Sequence, residues 1–215
     1  MERVTRLSRV SLPGLVLGLV VAAAPLYGQN ACELVQGAKG RGMEVGAWAS
    51  YQTSRGTMKQ AIVGQEERDG KAYYWMEMAI RGDKKDENVV MKMLVGGWES
   101  MGDVREIVMQ PAGQPAMRMP ERMMSMFRDK MKDPIADVME GCEKIVDLGE
   151  ESVTVPAGTF TVRHYRGEEG DMWLSRDLTF LLVKATGKDG SIELAGHGTE
   201  AASQISGPIQ DMPGF

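Results

Sequence analysis

Side chains suited to catalysis are scarce in this chain. Two histidines and two cysteines occur in 215 residues, which leaves few candidates for general acid–base or nucleophilic chemistry. No nucleophile elbow surrounds a serine, and no His-Glu-x-x-His, phosphate-binding loop or Cys-x-x-Cys is present. Gly37-x-x-Gly40-x-Gly42 has the wrong order for a dinucleotide-binding turn. Glu66-Glu67 and Glu168-Glu169 flank expected turns, where solvated charge accounts for them. The expectation is a protein that is not an enzyme and takes no cofactor. Basic runs interleaved with aromatics are also missing, and aromatics make up only 6% of the residues. Nucleic acid and anionic membrane surfaces, which both need a basic footprint, are disfavoured as partners.

What the chain does possess begins at its N-terminus. Arg3, Arg6 and Arg9 precede an apolar stretch from Val10 to Tyr27 that is interrupted by Pro13, Gly14, Gly18 and Pro25. A charged head, an apolar centre and a small-residue exit predict an export signal over residues 1–28, cleaved near Gly28. A retained anchor needs about 20 predominantly apolar residues; this stretch is shorter and carries two prolines. Acylation at Cys32 is a third reading, but Gln29-Asn30-Ala31 lacks the aliphatic residue of such signals. The mature chain is expected to be periplasmic or secreted and not membrane-spanning. It has a length suited to one domain over residues 29–205, followed by a frayed tail from Ser206 that contains Pro208 and Pro213. Its 22 basic and 29 acidic side chains give a net charge of −7.

Outside the cytoplasm an unpaired couple of cysteines is unusual, so Cys32 and Cys142 are expected to be bridged. Two separate buried thiols are the alternative.

Short β-like runs separated by glycine-rich or charged turns predict an antiparallel meander. The runs are 46–53, 57–67, 72–80, 89–95 and 104–109, then 143–148, 159–166, 172–175, 178–186 and 191–200. Asp69-Gly70 is a strong hairpin signal. Arg81-Gly82-Asp83 lies in a run of charges expected at a solvated hairpin tip, which explains the triplet without adhesion. A helical insert is expected around residues 120–141. Met123, Met126, Phe127 and Met131 recur at helical spacing after Pro120, and Asp133-Pro134 opens a second stripe ending at Gly141. A short helix over 32–39 is weakly signalled.

Methionine is abundant, with 13 of its 18 residues between Met76 and Met139. Alternation puts Tyr74, Met76 and Met78 on one strand face and Met91 and Met93 on another. With Met123, Phe127 and Met131 from the insert, and Phe160 and His164 from a later strand, these residues are the expected lining of an apolar cavity. Thioether side chains fill irregular space and suit adaptable apolar ligands; a closed core that happens to use methionine is the competing reading. Soft thioethers also select Cu(I). However, Met117-x-Met119 and Met123-Met124-x-Met126 only approximate a dedicated site, and no metal site is expected. His164 is read as sharing a face with Phe160 and Val162, and His197 with Glu193 and Thr199.

The most specific stretch is Val153-Thr154-Val155-Pro156-Ala157-Gly158-Thr159-Phe160, followed by His164-Tyr165 and Trp173-x-Ser175. Pro156 cannot donate to a sheet and Gly158 tolerates positive φ, so Pro-Ala-Gly reads as a tight turn between strands. This passage resembles a motif of exported bacterial β-rich proteins whose architecture is similar to the LolA-like and LolB-like lipoprotein-localisation superfamily. The resemblance covers residues 142–200 by motif. It implies a mainly β (α+β) fold, a single curved antiparallel sheet forming a half-barrel, with the helical insert covering its concave face. It implies no catalytic residue. Two functions follow as expectations: an exported binding protein for a lipid, acyl chain or other apolar ligand, or a structural or protein-interaction module of the envelope.

Overall fold

The computed structural model describes residues 42–84, 87–130, 144–188 and 190–212, together with Glu33 and Gly37. The expected leader, both cysteines, Met131 and the stripe from Asp133 to Gly141 lie outside the described residues.

Twelve strands form one sheet: β1 (Trp48–Thr53), β2 (Gly56–Arg68), β3 (Lys71–Gly82), β4 (Val89–Val95), β5 (Val104–Pro111), β6 (Ala116–Arg118), β7 (Val146–Val155), β8 (Gly158–Gly167), β9 (Gly170–Leu174), β10 (Leu182–Gly187), β11 (Gly190–Gly198) and β12 (Ile209–Asp211). Their order across the sheet is β12-β6-β5-β4-β3-β2-β1-β11-β10-β9-β8-β7, so the sheet is open between β12 and β7. Every pairing is antiparallel except β12 with β6. Local chemistry sets the turns. Asp69 and Gly70 both adopt positive φ, 53° and 72°, as a two-residue type I′ hairpin requires. Pro156 and Ala157 turn the chain between Val155 and Gly158, which pair with each other.

Register fixes two continuous faces. One carries Ile107, Met93, Met76 and Ile62 as successive cross-strand neighbours, and continues through Ala47, Ala49 and Tyr51 to Leu194. In a flat sheet β4 and β10 would stand about 24 Å apart, five strand spacings. Yet Trp98, just after β4, meets Phe180, just before β10, with ring centroids 6.0 Å apart, edge to face. Both rings pack on the cluster of Met93, Val95, Val104 and Ile107. The sheet therefore curls toward this apolar face, which is concave.

The convex face is covered by the chain's own end. After β11 the Ala201 amide donates to Gly46 O at 2.8 Å. The Ser203 hydroxyl (2.6 Å) and the Gln204 amide (2.9 Å) both donate to the Glu77 carboxylate. The Ser206 amide then donates to Gln110, and β12 pairs in parallel with β6. Glu77 is 2% exposed, beside buried Ala61, Ala79, Val90, Leu94 and Val108. The tail expected to fray from Ser206 is thus a strap at least as far as Asp211. Its backbone groups find partners on the short edge strand and on buried polar side chains, an advantage that its prolines concealed.

Three further expectations change. The run expected from Leu178 starts as a strand only at Leu182, because Leu178–Leu181 is a turn with Leu181 at φ 57°. The polar stretch Gly149–Ser152 belongs to one long strand, β7, held by its register with β8. Helix α1 (Glu121–Lys130) follows Pro120, but among the described residues it does not make the expected insert over the concave face. Its buried Met124 sits beside Glu106, Arg118 and Met212 at the β5–β6 end of the sheet, rather than over Tyr74 and Met76. Among the described residues no helix is long and apolar enough to cross a membrane.

Candidate ligand groove

A groove of about 1070 Å³ opens at one rim of the concave face. Its floor is a row of directly opposed residues, Tyr165 on β8, Met172 on β9, Ala185 on β10 and Ile192 on β11, continued by Thr53 on β1. Each comes from a strand that alternates, so four strands contribute one inward side chain apiece at this level. Leu174 and Ile145 complete the apolar wall. The mouth is ringed by three neighbouring turns: Ser54-Arg55 between β1 and β2, Glu168-Glu169 between β8 and β9, and Lys188 between β10 and β11. Lys188 pairs with Glu169 at 3.4 Å, both well exposed. Gly170 takes φ 150°, and a side chain there would overlap the Thr186 carbonyl oxygen, which keeps the turn narrow. Burial pushes the Tyr165 hydroxyl pKa up, with Asp147 and Glu33 adding to the effect against the cations Arg163 and Arg176.

Deeper on the same face, Tyr51 is buried and its hydroxyl has no hydrogen-bond partner among the described residues. Burial raises its pKa far above the ordinary tyrosine range, so it is a neutral phenol.

The predicted lining residues that are described fall elsewhere. Met93 is buried, and Tyr74, Met76 and Met91 pack against its cluster; Met78 is half-buried on the same face. Phe160 packs with Val162 and Leu178 and meets His197 edge to face at 5.7 Å. Met123 is exposed at 37%. Phe127 belongs to α1, and Met131 lies outside the described residues. Of the eight whose side chains are described, none lines the groove. His164 is engaged on both ring nitrogens: its Nδ1 lies 3.1 Å from Glu151 and its Nε2 3.1 Å from Asp171, and its ring stacks on Trp173 at 4.4 Å. Trp173 also donates to Glu151, and Lys184 stands over its ring while bonding Glu193. A hydrogen bond from Arg166 is the main cause holding the Asp171 carboxyl below its usual range; burial opposes it and His164 assists.

This row ties β7 to β11 across the convex side, with the two carboxylates on opposite edges of one imidazole, unlike a chelate. Among the described residues no three His, Cys, Asp or Glu side chains gather as a metal site. The phase of β11 also differs from expectation. A bulge opposite Ser50/Tyr51 sets Glu193 against Gln52 but His197 against Ala49, so the two occupy opposite faces. Sequence reading missed Tyr165, Leu174, Ala185 and Ile192 because each is one ordinary apolar residue on its own strand. Only register assembles them. No protein-family model and no curated protein matches the chain.

Proposed function

We propose that this is an exported binding protein for an apolar ligand such as an acyl chain, built as a half-barrel of the LolA-like and LolB-like kind and working in the periplasm or outside the cell. The observation that carries this reading is the groove on the concave face. Its floor of Tyr165, Met172, Ala185 and Ile192 is mainly apolar, most of its charged groups stand on the turns at the mouth, with Thr53, Asp171, Thr186 and Ser191 as polar strand residues in the wall, and its size suits a lipid tail. The charged head and apolar stretch over residues 1–28, read as an export signal, support the compartment. Native mass spectrometry of the purified chain should show co-purified lipid, and a fluorescent fatty acid should bind. Ala185→Trp, which fills the floor, should abolish that binding while leaving the unfolding midpoint near that of the parent. Probe binding unchanged by Ala185→Trp, or absent in the parent, overturns the reading.

The second reading, an envelope interaction module with a closed methionine core, is favoured by one observation. Met93 is buried, and Tyr74, Met76 and Met91 pack on the Val95–Ile107 cluster rather than lining a void.

A further inference from the structure

The register of β3 to β6 produces a feature that no local stretch of sequence displays. Met78 lies directly opposite Met91, Met91 opposite Met109, and Met109 opposite Met117. Four adjacent strands therefore present one unbroken rung of methionines, all half-buried on the concave face. Met76 and Met93 form part of the next rung.

Packing preference alone does not select such a rung. Opposed positions in a sheet favour β-branched and aromatic pairs, whereas methionine loses up to about 2 kcal/mol of rotamer freedom when ordered. Thioethers offer something those residues lack, a soft lone pair. Opposed Cβ atoms stand about 4.5–5.5 Å apart, and each sulfur sits two bonds further out on rotatable torsions, so three neighbouring sulfurs can turn toward one ion. The flanking rungs, Ile80–Val89–Pro111 and Met76–Met93–Ile107, bring no carboxylate or imidazole to this face. Gln60, opposite Met78, adds one carboxamide oxygen to this rung, too few for a hard divalent ion. A soft monovalent ion finds thioethers enough.

We propose that the Met78–Met91–Met109–Met117 rung binds Cu(I), or its redox-inert analogue Ag(I), through thioether sulfurs. The site is distinct from the apolar groove and does not depend on it. Binding involves no change of oxidation state, only displacement of weakly held ligands from the ion.

The test uses the full chain carrying methyl-13C methionine, titrated with Ag(I). The methyl signals of the rung should move and saturate near one equivalent, and X-ray absorption of the Cu(I) form should show a shell of sulfur alone. Leucine matches methionine in volume and leaves the fold intact. Met91→Leu or Met109→Leu should each weaken Ag(I) at least about tenfold, whereas Met172→Leu, in the groove, should leave it unchanged. Three results overturn the proposal: unsaturable shifts spread over all methionines, affinity indifferent to the rung variants, or binding that vanishes when only the two cysteine thiols are alkylated.

Discussion

The Ala157 amide donates to the Leu194 carbonyl at 3.0 Å, joining the tip of the β7–β8 hairpin to a strand that stands three to four places away in the sheet. In a flat sheet that separation would be about 14–19 Å. The Val-Pro-Ala-Gly turn is therefore a closure device that holds the sheet's curl, and Phe160 against His197 extends the same contact.

Replacing the turn glycines should separate backbone strain from steric overlap. Gly158 has φ 131° but only the Phe160 ring near an added Cβ, whereas Gly170 combines φ 150° with overlap on the Thr186 carbonyl. Gly158→Ala should cost about 1–3 kcal/mol and Gly170→Ala more, read from denaturant unfolding at constant m. Equal losses would contradict the steric distinction.

Glu77 anchors the strap. Glu77→Ala removes the acceptor for Ser203 and Gln204 and opens buried space, and should cost about 2–4 kcal/mol. Hydrogen exchange should show loss of protection concentrated at residues 203–211. Protection unchanged there would mean that β12 alone holds the strap.

Tyr51 carries a buried hydroxyl without a partner among the described residues. Tyr51→Phe removes an unsatisfied polar group, so it should be neutral or stabilise by about 1 kcal/mol. A clear loss of thermal stability would reveal a hydrogen bond to that oxygen.

Acid should weaken the β5–β6 edge. Burial of Glu106 opposes its ionisation, but hydrogen bonds from Arg118 at 2.8 Å and Arg68 at 3.1 Å outweigh it and hold its pKa below the ordinary value. The stability gained is complete above the unfolded-state value, about 4.3, and is lost as pH falls through the lower folded value. Glu106→Gln should be less stable at neutral pH and show a flatter decline in unfolding midpoint below that range.

Cys32 and Cys142 are expected to bridge. Both lie outside the described residues, so the bridge rests on the sequence and the export reading. Thiol labelling of unreduced protein should find none free, and reduction should destabilise by about 4–5 kcal/mol in the chain-entropy account.

The sequence by itself determined the local elements. Alternation marked β4 from Val89 to Val95, Asp69-Gly70 marked the β2–β3 hairpin, Pro120 marked the start of α1, and Pro156-Ala157-Gly158 marked the closing turn, because each depends on the backbone preferences of a few adjacent residues. The methionine excess was likewise legible. Tertiary structure alone decided which side chains meet. The groove floor draws single residues from β8, β9, β10 and β11, the methionine rung draws single residues from β3 to β6, and a bulge beside Ser50 moved His197 to the opposite face from Glu193. Register and curvature are sums over many long-range pairings, and a one-residue shift reverses every side chain, so no local signal encodes them.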